Sequence, residues 1–307
     1  MSLLVIRPGM LTTIQDLGRW GNQHSGVPVA GPMDSYSHRL ANQVLGNDIG
    51  AAALEITLIG PELEATEPVT CVVAGARFET VVSGNPVDIE RPFVIPARQR
   101  LRFGARLSGA RATVAVLGGL DVPADFGSRS TSLVSGIGPF SGRPLQAGDM
   151  LAVGPQPRAT VPSYGRPLRM PDGGAVLRVI RGPHDACFVP AALERLFSRR
   201  FTITPQSNRM GYRLDGPALL HSGTADILSD ATPMGSVQVP ASGQPILLMA
   251  DRQTTGGYPK IGTVITADLP IAGQLAPGDW IEFRECTRAE AIAALREREA
   301  GLLGTDV

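Results

Sequence analysis

Residues 70–74 read TCVVA and residues 113–117 read TVAVL, and both stretches are short, rich in β-branched residues and followed directly by a glycine. A strand with one face in water alternates apolar and polar residues, whereas a strand covered on both faces carries a nearly continuous apolar run. Both stretches follow the second pattern. We therefore predict that they are strands in a closed or sandwiched β core.

Similar runs recur along the chain, at residues 54–59 (LEITLI), 176–180 (VLRVI), 246–250 (ILLMA) and 263–266 (TVIT). The chain has 307 residues, of which 43% are hydrophobic, and this is enough for one large core or two modest ones. It also has 36 glycines and 26 prolines, which disfavour helix interiors and are typical of turns between short strands. The composition therefore predicts a mainly β protein.

Two short helices are expected among these strands. Asp34 or Ser35 is placed to cap a helix that runs through Leu45, and Gly46 follows where a helix commonly ends. Residues 190–197 (PAALERLF) begin with a proline, which suits the first position of a helix because its fixed φ is already helical.

A third helix is expected near the C-terminus. Thr287 and Glu290 have the spacing of a capping box, in which each side chain bonds the backbone N–H of the other residue. The sequence AIAALRERE follows, and Ile292 and Leu295 are expected to form the buried stripe of the helix.

The chain also contains a short internal repeat, which we call the echo. Residues 145–151 (LQAGDML) and 275–281 (LAPGDWI) each place a Gly-Asp turn before an apolar strand. The echo favours two related β units, although turns of this kind also repeat by chance. Residues 155–174 contain five prolines and little periodicity, which is typical of a linker. We predict a first β unit at residues 1–160 and a second at residues 161–307, which includes the C-terminal helix.

Charge and cysteine content narrow the class of protein. Lys plus Arg and Asp plus Glu both total 28, and no basic stripe stands out, so the sequence argues against nucleic acid and a charged membrane surface as partners. The three cysteines lie far apart and do not form a disulfide framework. No secretory signal is visible at the start of the sequence, and the expected location is the cytoplasm.

Common catalytic signatures are absent from the sequence. There is no H-E-x-x-H, G-x-S-x-G or phosphate-loop motif, and the four histidines show no metal-ligand spacing, so no metal is expected. Residues 256–262 (GGYPKIG) are glycine-rich, but a proline precedes the lysine and no helix follows. We interpret them as a turn between strands that leaves Lys260 available to an anion.

Donor-rich turns are the best candidates for a functional site, because loops on a rigid scaffold commonly carry binding residues. Their Arg, Asn, Gln and Lys side chains suit carboxylates, carboxyphosphate or amides. The alternative is that the Asp and Arg side chains pair with each other and with the backbone of the turns. The predicted substrate-binding residues are Arg129, Asn208, Arg209, Asp251, Arg252, Gln253 and Lys260.

These turns occur in an order that resembles the family of 5-oxoprolinase C subunits, formerly allophanate hydrolase subunit 2, which includes Kip inhibitor antagonists and biotin-dependent carboxyltransferases. The resemblance extends from residue 4 to about residue 285. It implies two linked cyclophilin-like β-barrel units with a few short helices. It is carried by residues 8–19 (PGMLTTIQDLGR), 26–35 (GVPVAGPMDS), 118–123 (GGLDVP), 127–131 (GSRST) and 207–214 (SNRMGYRL).

The resemblance also implies an activity. The chain is expected to be a subunit of ATP-dependent 5-oxoprolinase, an amide (lactam) hydrolase that converts 5-oxoproline, ATP and water to L-glutamate, ADP and phosphate. The implied partners are a smaller homologous subunit and a third, lactam-utilisation subunit. The chain is expected to be inactive alone, with ATP bound through the assembly.

The resemblance assigns one catalytic residue, because it places Asp121 near the substrate amide. Two alternatives remain open. The chain could be the carboxyltransferase subunit of a biotin-dependent urea or amide carboxylase, with biotin on a separate protein. Gln146 stands where the resemblance would place a lysine, and losing that cation disfavours this alternative. The other alternative is a non-catalytic regulator that antagonises a kinase inhibitor.

Overall fold

The computed structural model describes residues 1–156 and 164–305. Within these ranges the chain is mainly β with four α-helices, which confirms the predicted fold class. Two compact units are present. Unit 1 comprises Met1–Trp20, Ala30–Met170 and Glu299–Val307, and unit 2 comprises Gly21–Val29 and Pro171–Arg298. The predicted boundary between residues 160 and 161 lies outside the described residues.

Unit 1 contains a nine-stranded sheet that forms a half-barrel, with the order β2-β3-β8-β4-β1-β9 and with β5 paired to β6, β7 and β8. The strands are β1 (Ser2–Arg7), β2 (Leu11–Gln15), β3 (Ala53–Thr57), β4 (Glu62–Ala65), β5 (Val69–Val82), β6 (Asn85–Pro86), β7 (Phe93–Ile95), β8 (Arg100–Val116) and β9 (Met150–Ala152).

The two apolar runs that suggested a covered β core lie side by side at the centre of this sheet. Val72 pairs with Ala115 and Val73 pairs with Val114, in an antiparallel ladder, and all four side chains are fully buried. Full burial of one valine stabilises the fold by about 1.5–3 kcal/mol. The prediction from residues 70–74 and 113–117 is therefore confirmed.

Unit 2 is a closed seven-stranded barrel with the order β10-β17-β14-β15-β12-β11-β18, in which β18 pairs in parallel with β10. Two further short strands, β13 and β16, pair with each other outside the barrel. The strands are β10 (Gly174–Arg181), β11 (Arg200–Ile203), β12 (Gly211–Asp215), β13 (Asp230–Ala231), β14 (Ser236–Gln238), β15 (Ile246–Leu248), β16 (Thr255–Gly256), β17 (Lys260–Val264) and β18 (Trp280–Glu285).

The predicted helix starts and stops are confirmed. Asp34 caps the first helix by accepting a hydrogen bond of 2.9 Å from the backbone N–H of Ser37, and Gly46 ends it with a left-handed φ of 69°. Pro190 is the first residue of the second. The helices are α1 (Ser35–Leu45), α2 (Pro190–Ser198), α3 (Leu269–Gly273) and α4 (Arg288–Leu303), and none is long and apolar enough to cross a membrane, within the described ranges.

Helix α4 begins with the predicted capping box, and one of the two residues of its predicted buried stripe is exposed. Glu290 accepts from the backbone N–H of Thr287 at 2.7 Å and donates its own N–H to the Thr287 hydroxyl at 3.2 Å. Ile292 is 42% exposed, so its predicted burial is wrong, whereas Ala294 is buried and Leu295 packs beside it. Successive residues of a helix are rotated by about 100°, and Ile292 points away from the stripe of Ala291, Ala294 and Leu295 that packs against the barrel.

The echoed segments form the same turn in both units. Asp149 accepts from the backbone N–H of Gln146 at 2.7 Å, and Asp279 accepts from that of Ala276 at 2.8 Å. The preceding glycines have φ values of 92° and 95°, which other residues adopt only with strain. The repeated sequence pattern therefore specifies one local structure in two places.

Candidate functional site

Unit 1 presents Asp121 on a glycine turn that follows β8. Gly118 and Gly119 have φ values of 95° and 72°, and the N–H of Gly118 donates to the side-chain oxygen of Asn47 at 2.9 Å. The Asp121 side chain is 63% exposed, and its Oδ1 lies 3.9 Å from Nη2 of Arg129, whose side chain is 44% exposed. The carboxylate and the guanidinium thus stand side by side at the surface and make only a long contact.

Arg129 is held by two further contacts. Its Nε donates to the carbonyl of Val122 at 2.8 Å, and its backbone N–H donates to Asp16 at 2.6 Å. Asp16 also accepts hydrogen bonds from the hydroxyls of Ser128 and Ser130, at 2.6 and 2.7 Å. Burial raises the pKa of Asp16, but the hydrogen bonds outweigh it and the net pKa is lowered, so Asp16 is a carboxylate that organises this turn.

A buried polar network lies beneath the Asp121 turn. Asn42 donates to the ring Nε2 of His38 at 3.3 Å, and Asn47 donates to Asn42 at 2.9 Å and to the carbonyl of Val116 at 2.8 Å. Burial lowers the pKa of His38 to about 4, against the opposing effect of the Asp16 charge, so the imidazole is neutral at pH 7. No sequence pattern pointed to Asn47, because its role depends on the backbone of β8, which is distant in the chain.

In unit 2, three of the predicted binding residues bond the protein's own chain. Arg209 donates from Nε and Nη2 to the two carboxylate oxygens of Asp251, both at 3.0 Å, and both side chains are almost fully buried. Asn208 accepts from the backbone N–H of Met210 at 2.8 Å. These contacts correspond to the alternative raised from the sequence, in which such side chains pair with each other and with turns. Their role in substrate binding remains a prediction.

Two more predicted residues, Arg252 and Gln253, lie in a buried polar cluster. Arg252 donates to the carbonyl of Thr232 at 2.7 Å, and burial lowers its pKa to about 10 although Asp251 opposes this change. Gln253 donates to the side-chain oxygen of Gln238 at 3.3 Å, and Gln238 is itself buried. The cluster brings donors together at one end of β14.

The structure places Lys260 at the start of β17, after a turn from β16, as expected for residues 256–262. The ammonium is not open to solvent: it donates to Asp230 at 2.7 Å and to the carbonyl of Ala231 at 2.9 Å. The expectation that the turn leaves this ammonium unoccupied is therefore wrong. The hydrogen bond from Lys260 lowers the pKa of Asp230. No sequence signal pointed to Asp230, because its partner is distant in the chain.

A surface cleft in unit 2 is separate from these residues. Its volume is about 670 Å³, and none of the predicted binding residues lines it. The polar side chains that line it belong to Thr204, Gln206, Arg213, Asp215, Ser242 and Gln244. Across residues 1–156 and 164–305, no group of three or more His, Cys, Asp or Glu side chains is arranged to hold a metal ion.

Residues 25–285 match the family model described as carboxyltransferase domain, subdomain A and B, and the chain belongs to this family.

Two relatives of this chain are both C subunits of 5-oxoprolinase. The chain is 39% identical to the C subunit of 5-oxoprolinase from Escherichia coli K12, an alignment that covers 97% of this chain and 95% of the relative. It is 37% identical to the C subunit of 5-oxoprolinase from Haemophilus influenzae, over 94% of this chain and 92% of the relative.

Among solved structures, urea carboxylase of Kluyveromyces lactis matches 99% of this chain with a TM-score of 0.93 and 29% sequence identity. The chain spans only 29% of the length of that protein. The shared part therefore corresponds to one region of a larger enzyme.

Proposed function

We propose that the chain is a subunit of an ATP-dependent 5-oxoprolinase, which converts 5-oxoproline, ATP and water to L-glutamate, ADP and phosphate. The observation that carries this proposal is the identity of 39% to the C subunit of 5-oxoprolinase, over nearly the whole length of both proteins. The same alignment length excludes a match restricted to one shared domain of an otherwise different protein.

The exposed pair in unit 1 suits the substrate of such an enzyme. A lactam holds its amide in the cis form, so its N–H and its carbonyl oxygen point to the same side of the ring. A carboxylate beside a guanidinium offers one acceptor and one donor in matching positions. We assign Asp121 to accept the lactam N–H and Arg129 to donate to the carbonyl oxygen, whose negative charge increases as water attacks the carbon.

The donors of unit 2 are assigned to anionic groups of the substrates. Arg252, Gln253 and Lys260 are the candidates, because their polar atoms lie together under a short segment of chain. Asn208, Arg209 and Asp251 hold the adjacent turn. The sequence contains no phosphate loop, and we assign ATP binding to the assembly with a smaller homologous subunit and a third lactam-utilisation subunit, without which this chain is inactive. The three free cysteines support a reducing compartment, the cytoplasm.

Reconstitution tests the proposal. The chain is purified with the two proposed partners, the smaller homologous subunit and the third, lactam-utilisation subunit, and glutamate release from 5-oxoproline is measured with and without ATP. We expect ATP-dependent release by the complete assembly and none by this chain alone. An assembly that releases no glutamate, while the Escherichia coli enzyme does so in the same assay, would reject the proposal.

A carboxyltransferase is the second candidate, since the fold matches urea carboxylase along 99% of the chain. That reaction requires carboxybiotin from a separate protein. Biotin-dependent carboxylation of urea by this chain and a biotin carboxylase, without glutamate release, would favour it. If neither activity appears and the chain instead displaces a kinase inhibitor from its kinase, the regulatory alternative is supported.

A further inference from the structure

Two buried cations of unit 2 donate hydrogen bonds to one short segment, residues 227–232, which we call the strap. Lys260 bonds the Asp230 carboxylate and the carbonyl of Ala231, and Arg252 bonds the carbonyl of Thr232. Three consecutive residues of the strap thus receive hydrogen bonds from two cations. The Lys260 side chain is 3% exposed, whereas that of Asp230 is 52% exposed.

The strap supplies a carboxylate to one of the two cations beneath it. Asp251 has both oxygens bonded to Arg209, and its charge also acts on Arg252. Asp230 is then the one carboxylate bonded to Lys260, within the described residues. A buried ammonium without a counter-anion is costly, so an opened strap would leave Lys260 in need of another anion and Arg252 without its hydrogen bond to Thr232.

Few contacts hold the strap apart from those made by the two cations. Besides the bonds from Lys260 and Arg252, it is held by the β13–β16 ladder of two residue pairs and by backbone hydrogen bonds from Ile227 to Gly257 and from Thr232 to Thr254, at 2.9 and 3.1 Å. The hydroxyl of the buried Thr232 also donates to the carbonyl of Gln253. Leu228 is 94% exposed, and the strand residues of the strap are exposed as well. Because the strap makes few buried apolar contacts, the free energy of opening it is set mainly by the loss of its hydrogen bonds to Lys260 and Arg252, which a bound anion would offset.

The groups under the strap are suited to a small carboxylate. An ammonium carries three donors and a guanidinium five, and the side-chain amides of Gln253 and Gln238 lie in the same cluster. Gly256 lets these amides approach, because a side chain there would begin 2.7 Å from Nε2 of Gln238. Charged donors bind carboxylates more strongly than neutral ones.

We propose that Lys260 and Arg252 form a binding site for a small carboxylate, and that Asp230 occupies this site as an internal substitute while the strap is closed. The inference rests on the anion-binding role proposed above for Lys260 and adds to it the class of ligand and the element that controls access. The carboxylate of a ligand and that of Asp230 compete for the same ammonium.

The test compares acetate binding to the full chain and to its Asp230→Asn variant by calorimetry. Asparagine keeps the size of the side chain and removes the competing charge. If the strap is closed about nine-tenths of the time, the apparent affinity for acetate rises about tenfold in the variant. Asp226→Asn is the matched control, because Asp226 is a carboxylate close to the strap in sequence and its removal should leave acetate affinity unchanged.

Amide hydrogen exchange gives a second readout. Residues 227–232 should exchange faster in Asp230→Asn than in Asp226→Asn, and acetate should accelerate their exchange in the unchanged chain. Lys260→Met should abolish acetate binding; if that variant does not fold, the two aspartate variants still decide the matter. Equal acetate affinity and equal strap exchange in Asp230→Asn, Asp226→Asn and the unchanged chain would overturn the proposal.

Two further probes separate this inference from the proposed enzymatic function. 5-Oxoproline carries a carboxylate and 2-pyrrolidinone is the same lactam without it. Tighter binding of acetate and 5-oxoproline, but not of 2-pyrrolidinone, by Asp230→Asn supports the carboxylate site. If acetate binding tightens but the assembly releases no glutamate, the carboxylate site stands and the oxoprolinase proposal fails.

Discussion

Unit 1 and unit 2 each contain an Asp–Arg pair that the sequence marked as a candidate, and the two pairs differ in exposure, distance and hydrogen bonding. In unit 1, Asp121 and Arg129 are 63% and 44% exposed and approach to 3.9 Å. In unit 2, Arg209 and Asp251 are 3% and 1% exposed and make two hydrogen bonds of 3.0 Å. The residue types are the same, but one pair is part of the buried interior and the other is accessible at the surface.

The difference in exposure and hydrogen bonding decides how much capacity each pair has left to bind a ligand. A carboxylate whose two oxygens are both bonded by one guanidinium has little capacity left for a ligand, and it is locked by its burial. An exposed pair at 3.9 Å contributes little to stability, because solvent screens it, and it leaves polar atoms of both side chains accessible from the surface. The comparison therefore predicts that replacing one residue of the pair lowers the stability of the protein in unit 2 and the activity of the enzyme in unit 1.

The largest effect is expected for Arg209→Ala. The change removes both side-chain hydrogen bonds from Arg209 to the buried Asp251 carboxylate and should lower the free energy of unfolding by about 3–5 kcal/mol. Urea denaturation followed by circular dichroism measures it. Arg213→Ala is the control, since Arg213 is exposed on the neighbouring strand β12 and its removal should cost no more than about 0.5 kcal/mol. A loss below about 1 kcal/mol for Arg209→Ala would contradict the assigned bracing role.

The next effect concerns the buried histidine of unit 1. His38 is protonated below about pH 6.5 in the unfolded chain but only below about pH 4 in the folded one, so the unfolded state binds more protons between these values. The stability contributed by neutral His38 is present above pH 6.5 and is lost as the pH falls, by roughly 3 kcal/mol at pH 4.

Unfolding curves of the chain and of His38→Gln at several pH values between about 4 and 7 measure this effect, as the difference in slope. Replacement of the exposed His24 by glutamine should leave the slope unchanged. If His38→Gln retains the full pH dependence, the histidine is not the group responsible.

A smaller effect is expected at the start of α1, where the cap is local to one helix. Asp34→Ala removes the acceptor for the Ser37 N–H and should cost about 1 kcal/mol. Asp34→Asn keeps an acceptor oxygen and should cost a few tenths. Thermal or urea unfolding of both variants measures the difference, and equal losses in the two would show that the cap bond is not the cause.

The smallest effect on stability, and the largest on turnover, is expected for Asp121→Asn. The exposed side chain makes one long contact, so the free energy of unfolding should change by less than about 0.5 kcal/mol. Glutamate release by the reconstituted assembly should fall by about 10²-fold or more, because a charged acceptor for the substrate is lost. Asp88→Asn, a carboxylate on the surface of the same unit, should leave both quantities unchanged. An Asp121→Asn chain that fails to fold would assign Asp121 to structure.

The parts of the fold that could be predicted from the sequence are those made by neighbours in the chain. The Asp34 cap, the Gly46 stop, the Thr287–Glu290 capping box and the two Gly-Asp turns are each formed within a few residues, so their sequence patterns specify them directly. The apolar runs at residues 70–74 and 113–117 likewise indicated covered strands, which the structure pairs with each other.

The candidate site was predictable in outline only. The donor-rich turns were recognisable from the sequence. Residue type did not reveal that Arg209 forms an ion pair with Asp251 or that Lys260 forms one with Asp230. In α4 the predicted packing of Leu295 is confirmed, but the predicted burial of Ile292 is wrong for a related reason, because the side chains that contact the barrel are those of Ala291, Ala294 and Leu295. Contacts between distant segments decide these outcomes.

The sequence by itself determined that this protein is mainly β, where α1, α2 and α4 start, and which turns carry polar donors, because these properties depend on residues close together in the chain. Only the tertiary structure decided that β18 closes the second barrel against β10, which ion pair is buried and which is exposed, and that the strap covers Lys260. The physical reason is that burial and charge compensation are set by segments that folding brings together, and no local pattern records which segments those are.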